Sequence, residues 1–137
     1  MTPKIVADLM SPEPATLEEN DELELADDVM KLGRIRHMPV LGEDGALVGV
    51  VSQRDLYHSA LLKTLGHGTR AVGRTLQMVR VKEVMQAAPV VVAPDLPIAE
   101  AATLMTKHKI GCLPVVDAGR LVGILTEGDF VAHFARG

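Results

Sequence analysis

Two short stretches of this sequence place a hydroxyl residue three positions before an aspartate: GVVSQRDL at 49–56 and GILTEGDF at 123–130. At a helix start this spacing is typical of a capping box, in which the hydroxyl accepts a backbone N–H and the acid reaches back. The same helix end favours a phosphate, because its free N–H groups and its dipole attract negative charge. A carboxylate one turn in can also accept hydrogen bonds from two adjacent ribose hydroxyls. Phosphate and ribose together would make this a nucleotide site. Gly49 and Gly123 favour this interpretation over a simple cap, since glycine lets a ligand approach the backbone closely.

The two stretches belong to an internal repeat. Shifting the sequence by 75 positions aligns Met10 with Met85, and beyond a one-residue gap a shift of 74 aligns Asp55 with Asp129. The repeats cover about 6–60 and 81–135 and are joined by a linker at 61–80. We expect this linker to be partly helical, with the first repeat's last helix reaching Leu65, a break at 66–68 and a second helical stretch after it.

Each repeat predicts the same element order, β-α-β-β-α. Apolar residues recur at i, i+3 and i+7 in the first long helix of each repeat, which is the spacing of a buried stripe. We expect Asn20 and Asp95 to cap these helices. A small sheet with helices on one side leaves its other face uncovered. We therefore expect a single α/β (α+β) module over 1–137, whose two repeats pack through their sheets with pseudo-two-fold symmetry.

Composition excludes several classes of protein. The formal charge of −4 argues against a nucleic-acid binder, and no apolar run approaches the roughly 18 residues that span a bilayer. The lone Cys112 precludes an intrachain disulfide, which is consistent with a reducing cytoplasm. We expect that the protein is not an enzyme and has no metal site. The sequence shows no nucleophile with a nearby base, no paired carboxylates and no metal-ligand cluster at the required spacing. The acidic run at 13–28 is most simply a solvated helix face.

The second repeat resembles a known family most clearly. LPVVD-x-GRLVGILTEGDF at 113–130, preceded by an amphipathic helix that ends in MTKHKIG, resembles a CBS (cystathionine β-synthase) domain. The diagnostic pattern G-h-x-[ST]-x-x-D occurs in both repeats. The whole chain therefore resembles a stand-alone tandem CBS pair.

This resemblance implies a regulatory, energy-sensing module rather than an enzyme. The expected effector is an adenosyl ligand (AMP, ADP, ATP or S-adenosylmethionine) bound in clefts between the repeats, and the regulated protein is an unknown partner acting in trans. The resemblance also implies a role for each site residue: ribose binding by Asp55 and Asp129, phosphate contact by Ser52 and Thr126, adenine packing by Val50 and Ile124, recognition of the adenine edge by backbone near Thr16 or Val91, and phosphate contact by Arg36 and His37.

The second repeat departs from this pattern. Gly111 and Cys112 stand where the first repeat has Arg36 and His37, and Gly128 stands where it has Arg54. Since an arginine strengthens phosphate binding, we expect the two sites to be unequal. Because the expected clefts lie between repeats, Arg36 could serve the ligand held by either aspartate.

We also expect a homodimer. The helices that follow Ser52 and Thr126 carry an apolar cluster whose exposure would be unusual on a monomer, and two pairs would associate through it: Leu56, Tyr57, Phe130, Val131 and Phe134. The alternative to the sensing role is a structural dimerisation module without a physiological ligand.

Overall fold

The computed structural model describes residues 4–63 and 68–136. The chain divides into two compact units. The repeat-1 unit is Ala15–Ala88, and the repeat-2 unit combines Met1–Pro14 with Pro89–Gly137. The mixed α/β fold expected from the sequence is confirmed, since helices and β-sheet strands alternate along the chain.

The elements of the described residues follow one another in this order: α1 (Val6–Leu9), β1 (Ser11–Pro12), β2 (Leu17–Glu18), α2 (Leu23–Gly33), β3 (His37–Leu41), β4 (Leu47–Ser52), α3 (Gln53–Lys63), α4 (Thr69–Met78), a 3₁₀ turn (Val81–Glu83), β5 (Gln86–Ala87), α5 (Ile98–His108), β6 (Cys112–Asp117), β7 (Arg120–Thr126) and α6 (Glu127–Ala135). The linker helix expected to reach Leu65 is seen as far as Lys63, and 64–67 lie outside the described residues.

The repeat-1 unit is built on a four-stranded sheet in the order β2-β3-β4-β5. Strand β2 is parallel to β3, and the other neighbours are antiparallel. The apolar stripe of α2 packs into one core with the inward-facing residues of the sheet and with α3 and α4, and this core includes Leu17, Leu23, Ala26, Met30, Met38, Val40, Val51, Leu56 and Leu76. The hydrophobic effect of burying these side chains is the main favourable contribution to the stability of the unit.

The repeat-2 unit has a three-stranded sheet in the order β1-β7-β6. The first strand of the expected β-α-β-β-α order is reduced in this repeat to a single parallel bridge between Val92 and Val115. A second core joins this sheet to α1 and α5, with Val6, Val92, Ala101, Met105, Leu113, Val115 and Leu125 buried.

The opening segment of each repeat completes the sheet of the other repeat. Strand β1 comes from the first repeat but pairs with β7, where Pro12 is the partner of Gly123. Strand β5 comes from the second repeat but pairs with β4, where Ala87 is the partner of Gly49. Each compact unit therefore contains a short strand from the other sequence repeat: β5 lies in the repeat-1 unit and β1 in the repeat-2 unit.

Three local expectations are wrong. Helix α2 has Glu22 at its N-cap rather than Asn20, and α5 has Pro97 rather than Asp95; neither has a side-chain cap. Fixed proline geometry suits a helix start and removes an N–H that would lack a partner there. The acidic run is not entirely solvated either, because Asp27 is only 5% exposed.

Candidate functional site

Each repeated motif lies at a strand-to-helix junction, as the spacing predicts. In the repeat-1 unit, the backbone N–H of Ser52 donates to Oδ2 of Asp55 at 3.0 Å. The N–H of Asp55 donates to Oγ of Ser52, also at 3.0 Å. The two residues thus satisfy each other's orphan groups at the start of α3, as in a capping box.

The repeat-2 unit has the corresponding junction at the start of α6. The backbone N–H of Thr126 donates to Oδ2 of Asp129 at 2.8 Å, and its hydroxyl donates to the same oxygen at 3.3 Å. Within the described part of the chain, Oδ1 of Asp129 and Oδ1 of Asp55 accept no hydrogen bond. Because an ionised carboxylate offers several acceptor positions, each cap leaves one oxygen of a half-buried aspartate available to a ligand.

The residues expected near adenine lie on one row across each sheet. In the repeat-1 unit, Pro39 of β3 is opposite Val50 of β4. The parallel register of Leu17 with Val40 places Thr16 beside Pro39 on the other side. Val50 is buried but points to the opposite face of β4 from Val51, which is in the core, because side chains alternate along a strand.

The repeat-2 unit reproduces this row. Pro114 of β6 is opposite Ile124 of β7, and the bridge from Val92 to Val115 places Val91 beside Pro114. Val91 is 44% exposed, whereas Ile124 is buried. The alignment of the two repeats therefore extends to the register of their strands.

The expected phosphate-binding residues lie next to the first cap. His37 of β3 is the register partner of Ser52, and the N–H of Gln53 donates to the backbone oxygen of Arg36 at 2.8 Å. The side chains of Arg36 and Arg54 are exposed and have no ion-pair partner among the described residues. Two cations without ion pairs among the described residues thus stand in segments that meet at the start of α3.

Uncharged residues occupy the same places in the second unit. Cys112 is the register partner of Thr126, and the N–H of Glu127 donates to the backbone oxygen of Gly111 at 3.0 Å. Cys112 is buried. The residues that differ between the two motifs in sequence therefore occupy equivalent positions in the two units.

The glycine that begins each motif packs closely against the strand contributed by the other repeat. A Cβ atom at Gly49 would lie 2.9 Å from the backbone oxygen of Gln86 and 2.6 Å from Sδ of Met85. At Gly123 it would lie 3.0 Å from the oxygen of Ser11 and against Sδ of Met10. Since real Cβ contacts are longer, these glycines admit the exchanged strand and its methionine. The repeated methionines and glycines are thus packing partners.

Sequence reasoning missed a polar cluster that fixes α3 to α2. The hydroxyl of Tyr57 donates to Oδ1 of the buried Asp27, and Nζ of Lys31 lies 2.9 Å from Oδ2 of the same carboxylate. The hydrogen bond to Asp27 raises the pKa of Tyr57, and a hydrogen bond to the same carboxylate raises the pKa of Lys31. The one available signal was that the corresponding residues of the second repeat, Ala102 and Val131, are apolar.

Of the apolar cluster expected on both motif helices, Val131 and Phe134 of α6 are exposed, whereas Leu56 and Tyr57 of α3 are not. Leu56 is fully buried in the core, and Tyr57 is half-buried and bound to Asp27. On α6, by contrast, Val131 is 68% and Phe134 75% exposed. The expectation is wrong for these two α3 residues, because Leu56 packs in the core and Tyr57 binds Asp27.

Other kinds of site receive no support from the geometry. Among the described residues, no group of three or more His, Cys, Asp or Glu side chains could hold a metal ion. None of the helices in the described ranges has both the length and the apolar character needed to cross a membrane.

Comparisons with known proteins give a consistent result. A family model of the CBS domain matches residues 6–61 and 81–136. The CBS domain-containing protein YhcV of Bacillus subtilis is 34% identical over 128 residues, which are 93% of this chain and 84% of that protein. A homoserine O-acetyltransferase of Methanococcoides burtonii is 35% identical over 130 residues, but this chain spans only 24% of its length.

Solved structures resemble the chain over nearly its whole length. A proposed acetoin utilization protein (AcuB) of Vibrio cholerae is 37% identical with a TM-score of 0.79, covering 99% of this chain and 93% of its own. The CBS domain pair of MJ0100, solved with 5′-methylthioadenosine and S-adenosyl-L-methionine, is 28% identical with a TM-score of 0.77 and covers 96% of each chain. CBSX2, solved with AMP, is 29% identical with a TM-score of 0.73 and also covers 96% of each chain.

Proposed function

The chain belongs to the CBS domain family, and on that premise we propose that it is a regulatory module that binds an adenosyl ligand and signals to a partner protein. The ligand class we propose is AMP, ADP, ATP or S-adenosylmethionine. The relatives solved with AMP and with S-adenosyl-L-methionine support this class. A signal requires that the ligand bind two arrangements of the protein with different affinity.

One observation carries the proposal. In both units the motif aspartate uses Oδ2 for the helix cap and keeps Oδ1 without a hydrogen bond among the described residues. A carboxylate fixed in this way is already oriented, so little side-chain entropy is lost when ribose hydroxyls bind to it. We assign the ribose hydroxyls to Asp55 and Asp129.

The phosphate and adenine positions follow from the same frame. Arg54 is the second residue of α3, and the backbone oxygen of Arg36 accepts the N–H of Gln53 at 2.8 Å, so both arginines stand in segments that meet beside Ser52. Hydrogen bonds from a guanidinium to phosphate are about twice as strong as neutral ones. We therefore propose that the repeat-1 site favours phosphorylated ligands, and that Val50 and Ile124 pack against adenine in the respective sites.

A thermal-shift panel tests the proposal. Purified protein is heated with AMP, ADP, ATP or S-adenosylmethionine, with guanosine monophosphate as the base-specificity control. At about 100 times its dissociation constant, a ligand specific for the folded state adds roughly 2.7 kcal/mol, which corresponds to several degrees in Tm. If no adenosyl compound shifts Tm at millimolar concentration, the ligand-free dimerisation module becomes the better explanation.

Site variants require controls that lose a carboxylate–backbone hydrogen bond but no ligand contact. Asp55→Ala removes the ribose contact and one cap, and Asp21→Ala is its match because Asp21 accepts the N–H of Glu18 at 2.8 Å in the same unit. Asp8→Ala matches Asp129→Ala, since Asp8 accepts the N–H groups of Lys4 and Ile5 at 3.1 Å. We expect the ligand-induced shift to fall only for Asp55 and Asp129. Equal loss in the controls would show that the aspartates act through stability alone.

The remaining elements of the proposal concern association. We propose that the chain is a homodimer, because Val131 and Phe134 form an exposed apolar pair on α6. The regulated protein acts in trans, and the cytoplasmic location remains a prediction from the lone cysteine. Sedimentation equilibrium tests the dimer: a monomer mass at micromolar concentration would refute it.

A further inference from the structure

The carboxylate of Asp27 is buried in a place where a charge is costly. Asp27 lies on α2, next to Ala26 of the repeat-1 core, and is only 5% exposed. Its Oδ1 accepts the hydroxyl of Tyr57 from α3, and its Oδ2 lies 2.9 Å from Nζ of Lys31. We call Asp27, Tyr57 and Lys31 the α2–α3 clamp. Because burial of a charged group is unfavourable unless the group is paired and hydrogen-bonded, the clamp offsets a cost that an apolar residue would avoid.

The repeat-2 unit shows that the same fold can do without this clamp. Ala102, Thr106 and Val131 stand at the positions of the three clamp residues. Val131 is 68% exposed, and the hydroxyl of Thr106 donates to the backbone oxygen of Ala102 at 3.1 Å, within α5 itself. Replacement of a buried ion pair by apolar residues is often neutral or stabilising. A clamp that the fold does not require points to a role beyond stability in the repeat that has it.

Tyr57 lies on a different side of α3 from the motif aspartate. It follows Asp55 by two positions, and residues two apart do not face each other on a helix. Tyr57 therefore reaches α2, while Asp55 forms the cap with Ser52 on another side. Any effect of the clamp on the ligand site is thus an effect on the position of the helix.

The cap and the clamp fix different parts of the structure. The cap joins Ser52 to Asp55, three residues apart, so it orients the aspartate only relative to the first turn of α3. The hydrogen bond from Tyr57 to Asp27 spans 30 positions, so it fixes that turn relative to α2. Leu56 also holds α3, since it is buried in the core. However, apolar packing is non-directional, whereas a hydrogen bond requires a defined angle, so Tyr57 restricts rotation of α3 about its axis.

We propose that Tyr57 and Asp27 are positioning residues of the repeat-1 ligand site: they hold α3 against α2 and so keep Asp55 and Arg54 where an adenosyl ligand meets them. This inference rests on the proposed function, because it concerns the same site. A preorganised site loses less conformational entropy when a ligand binds. The hydrogen bond to Asp27 raises the pKa of Tyr57, so the hydroxyl remains a donor at neutral pH.

Ligand affinity measured one site at a time tests the proposal on the full chain. Calorimetry with AMP reports the repeat-1 site in the Asp129→Ala background and the repeat-2 site in the Asp55→Ala background. We expect Tyr57→Phe to weaken AMP at the repeat-1 site by about threefold to tenfold, the cost of one more group that must be ordered on binding. The affinity of the repeat-2 site should not change.

Variants of Asp27 test whether the hydrogen bond itself is responsible. Asp27→Asn keeps an oxygen that can accept the Tyr57 hydroxyl, so it should retain nearly the wild-type affinity. Asp27→Ala should show the same loss as Tyr57→Phe. The double variant should be no weaker than either single variant, because both changes remove one contact. Losses that add in the double variant would contradict action through this contact.

Val81→Ala is the control for lost stability, because Val81 is fully buried in the same core but takes no part in the clamp. Both Val81→Ala and Tyr57→Phe should lower the midpoint of urea unfolding, and only Tyr57→Phe should weaken AMP. Equal loss of affinity in Val81→Ala, or unchanged affinity in Tyr57→Phe, would overturn the inference.

Hydrogen exchange separates this inference from the proposed function, because it needs no ligand. The N–H groups of Ser52 and Asp55 are held by the cap. We expect them to exchange about threefold or more faster in Tyr57→Phe than in Val81→Ala. If the wild type binds neither AMP nor S-adenosylmethionine, the proposed function fails, and faster exchange of these groups would still support the positioning of Asp55 by the clamp. A wild type that binds AMP, with a Tyr57→Phe variant that keeps both its affinity and its slow exchange, would overturn the inference alone.

Discussion

Replacement of Gly49 by alanine distinguishes two explanations of the motif glycine. If the glycine exists to admit a ligand, the alanine variant should fold normally without ligand and bind adenosyl compounds poorly. If it exists to admit strand β5, the variant should be destabilised without any ligand. The structure supports the second explanation, because the added Cβ would lie 2.9 Å from the oxygen of Gln86 and 2.6 Å from Sδ of Met85.

The magnitude follows from which neighbour can move. The side chain of Met85 is flexible and can rotate away, but the Gln86 carbonyl belongs to the backbone of a paired strand. Relief of the contact therefore requires a shift of β5, and overpacking of this kind costs about 1–3 kcal/mol. Reduced freedom of the unfolded chain returns about 0.4–1 kcal/mol. We expect a net loss of about 1–2 kcal/mol for Gly49→Ala and a similar loss for Gly123→Ala.

Urea unfolding followed by circular dichroism measures this change in the free energy of unfolding as a shift in the midpoint urea concentration, provided that the dependence of the free energy on urea concentration is unchanged. Gly73→Ala is the matched control, because Gly73 lies inside α4 with nothing within 4 Å of an added Cβ. There the substitution should stabilise the protein by about 0.5–1 kcal/mol. The reasoning fails if Gly49→Ala is as stable as the wild type, or if Gly73→Ala is equally destabilised.

Three further predictions follow from single contacts. Tyr57→Phe should lower the free energy of unfolding by about 1–3 kcal/mol in the same assay, because it leaves buried Asp27 with one partner fewer. The hydrogen bond to Asp27 raises the pKa of Tyr57, so its contribution to stability should be complete below about pH 10 and be lost as the pH rises through that raised pKa. Backbone N–H groups of Lys4 and Ile5 lower the pKa of Asp8, so its contribution is present above about pH 4 and is lost as pH falls further; acid titration of Asp8→Ala should show a shallower loss of stability than the wild type. Arg36→Ala should weaken AMP by about 1.5–3 kcal/mol in calorimetry and leave adenosine nearly unchanged, and equal losses for both ligands would show that Arg36 does not reach the phosphate.

Sequence periodicity predicted the frame of the site well, because that frame depends on local rules. The cap at Ser52 follows from spacing within four residues, and the helix stripe that includes Met30 follows from the 3.6-residue period. The internal repeat then carried both features to the second half of the chain. Features that repeat within a short window leave a signal that a single sequence can show.

Features that depend on distant partners could not be predicted in the same way. The exchange of β1 and β5 joins residues far apart in sequence, and nothing local to Ser11 indicates that its partner is Ile124. The buried carboxylate of Asp27 lies in a run of acids that looks solvated, and only the position of Tyr57 in space identifies its partner. Burial is decided by tertiary packing, which overrides local polarity wherever a hydrogen bond compensates the buried charge.

The two repeats have the same helix cap and strand register but expose different side chains around the motif helix. In the first repeat, Leu56 is in the core and Tyr57 is bound to Asp27, while Arg36 and Arg54 remain without ion pairs in the described ranges. Near the cap of α6, Gly111 and Gly128 stand in place of the two arginines, and Val131 and Phe134 remain exposed. A charged, exposed helix start is suited to an anionic ligand, and an exposed apolar stripe is suited to another protein surface. On the proposals above, phosphate selectivity depends on the first repeat and self-association on the second.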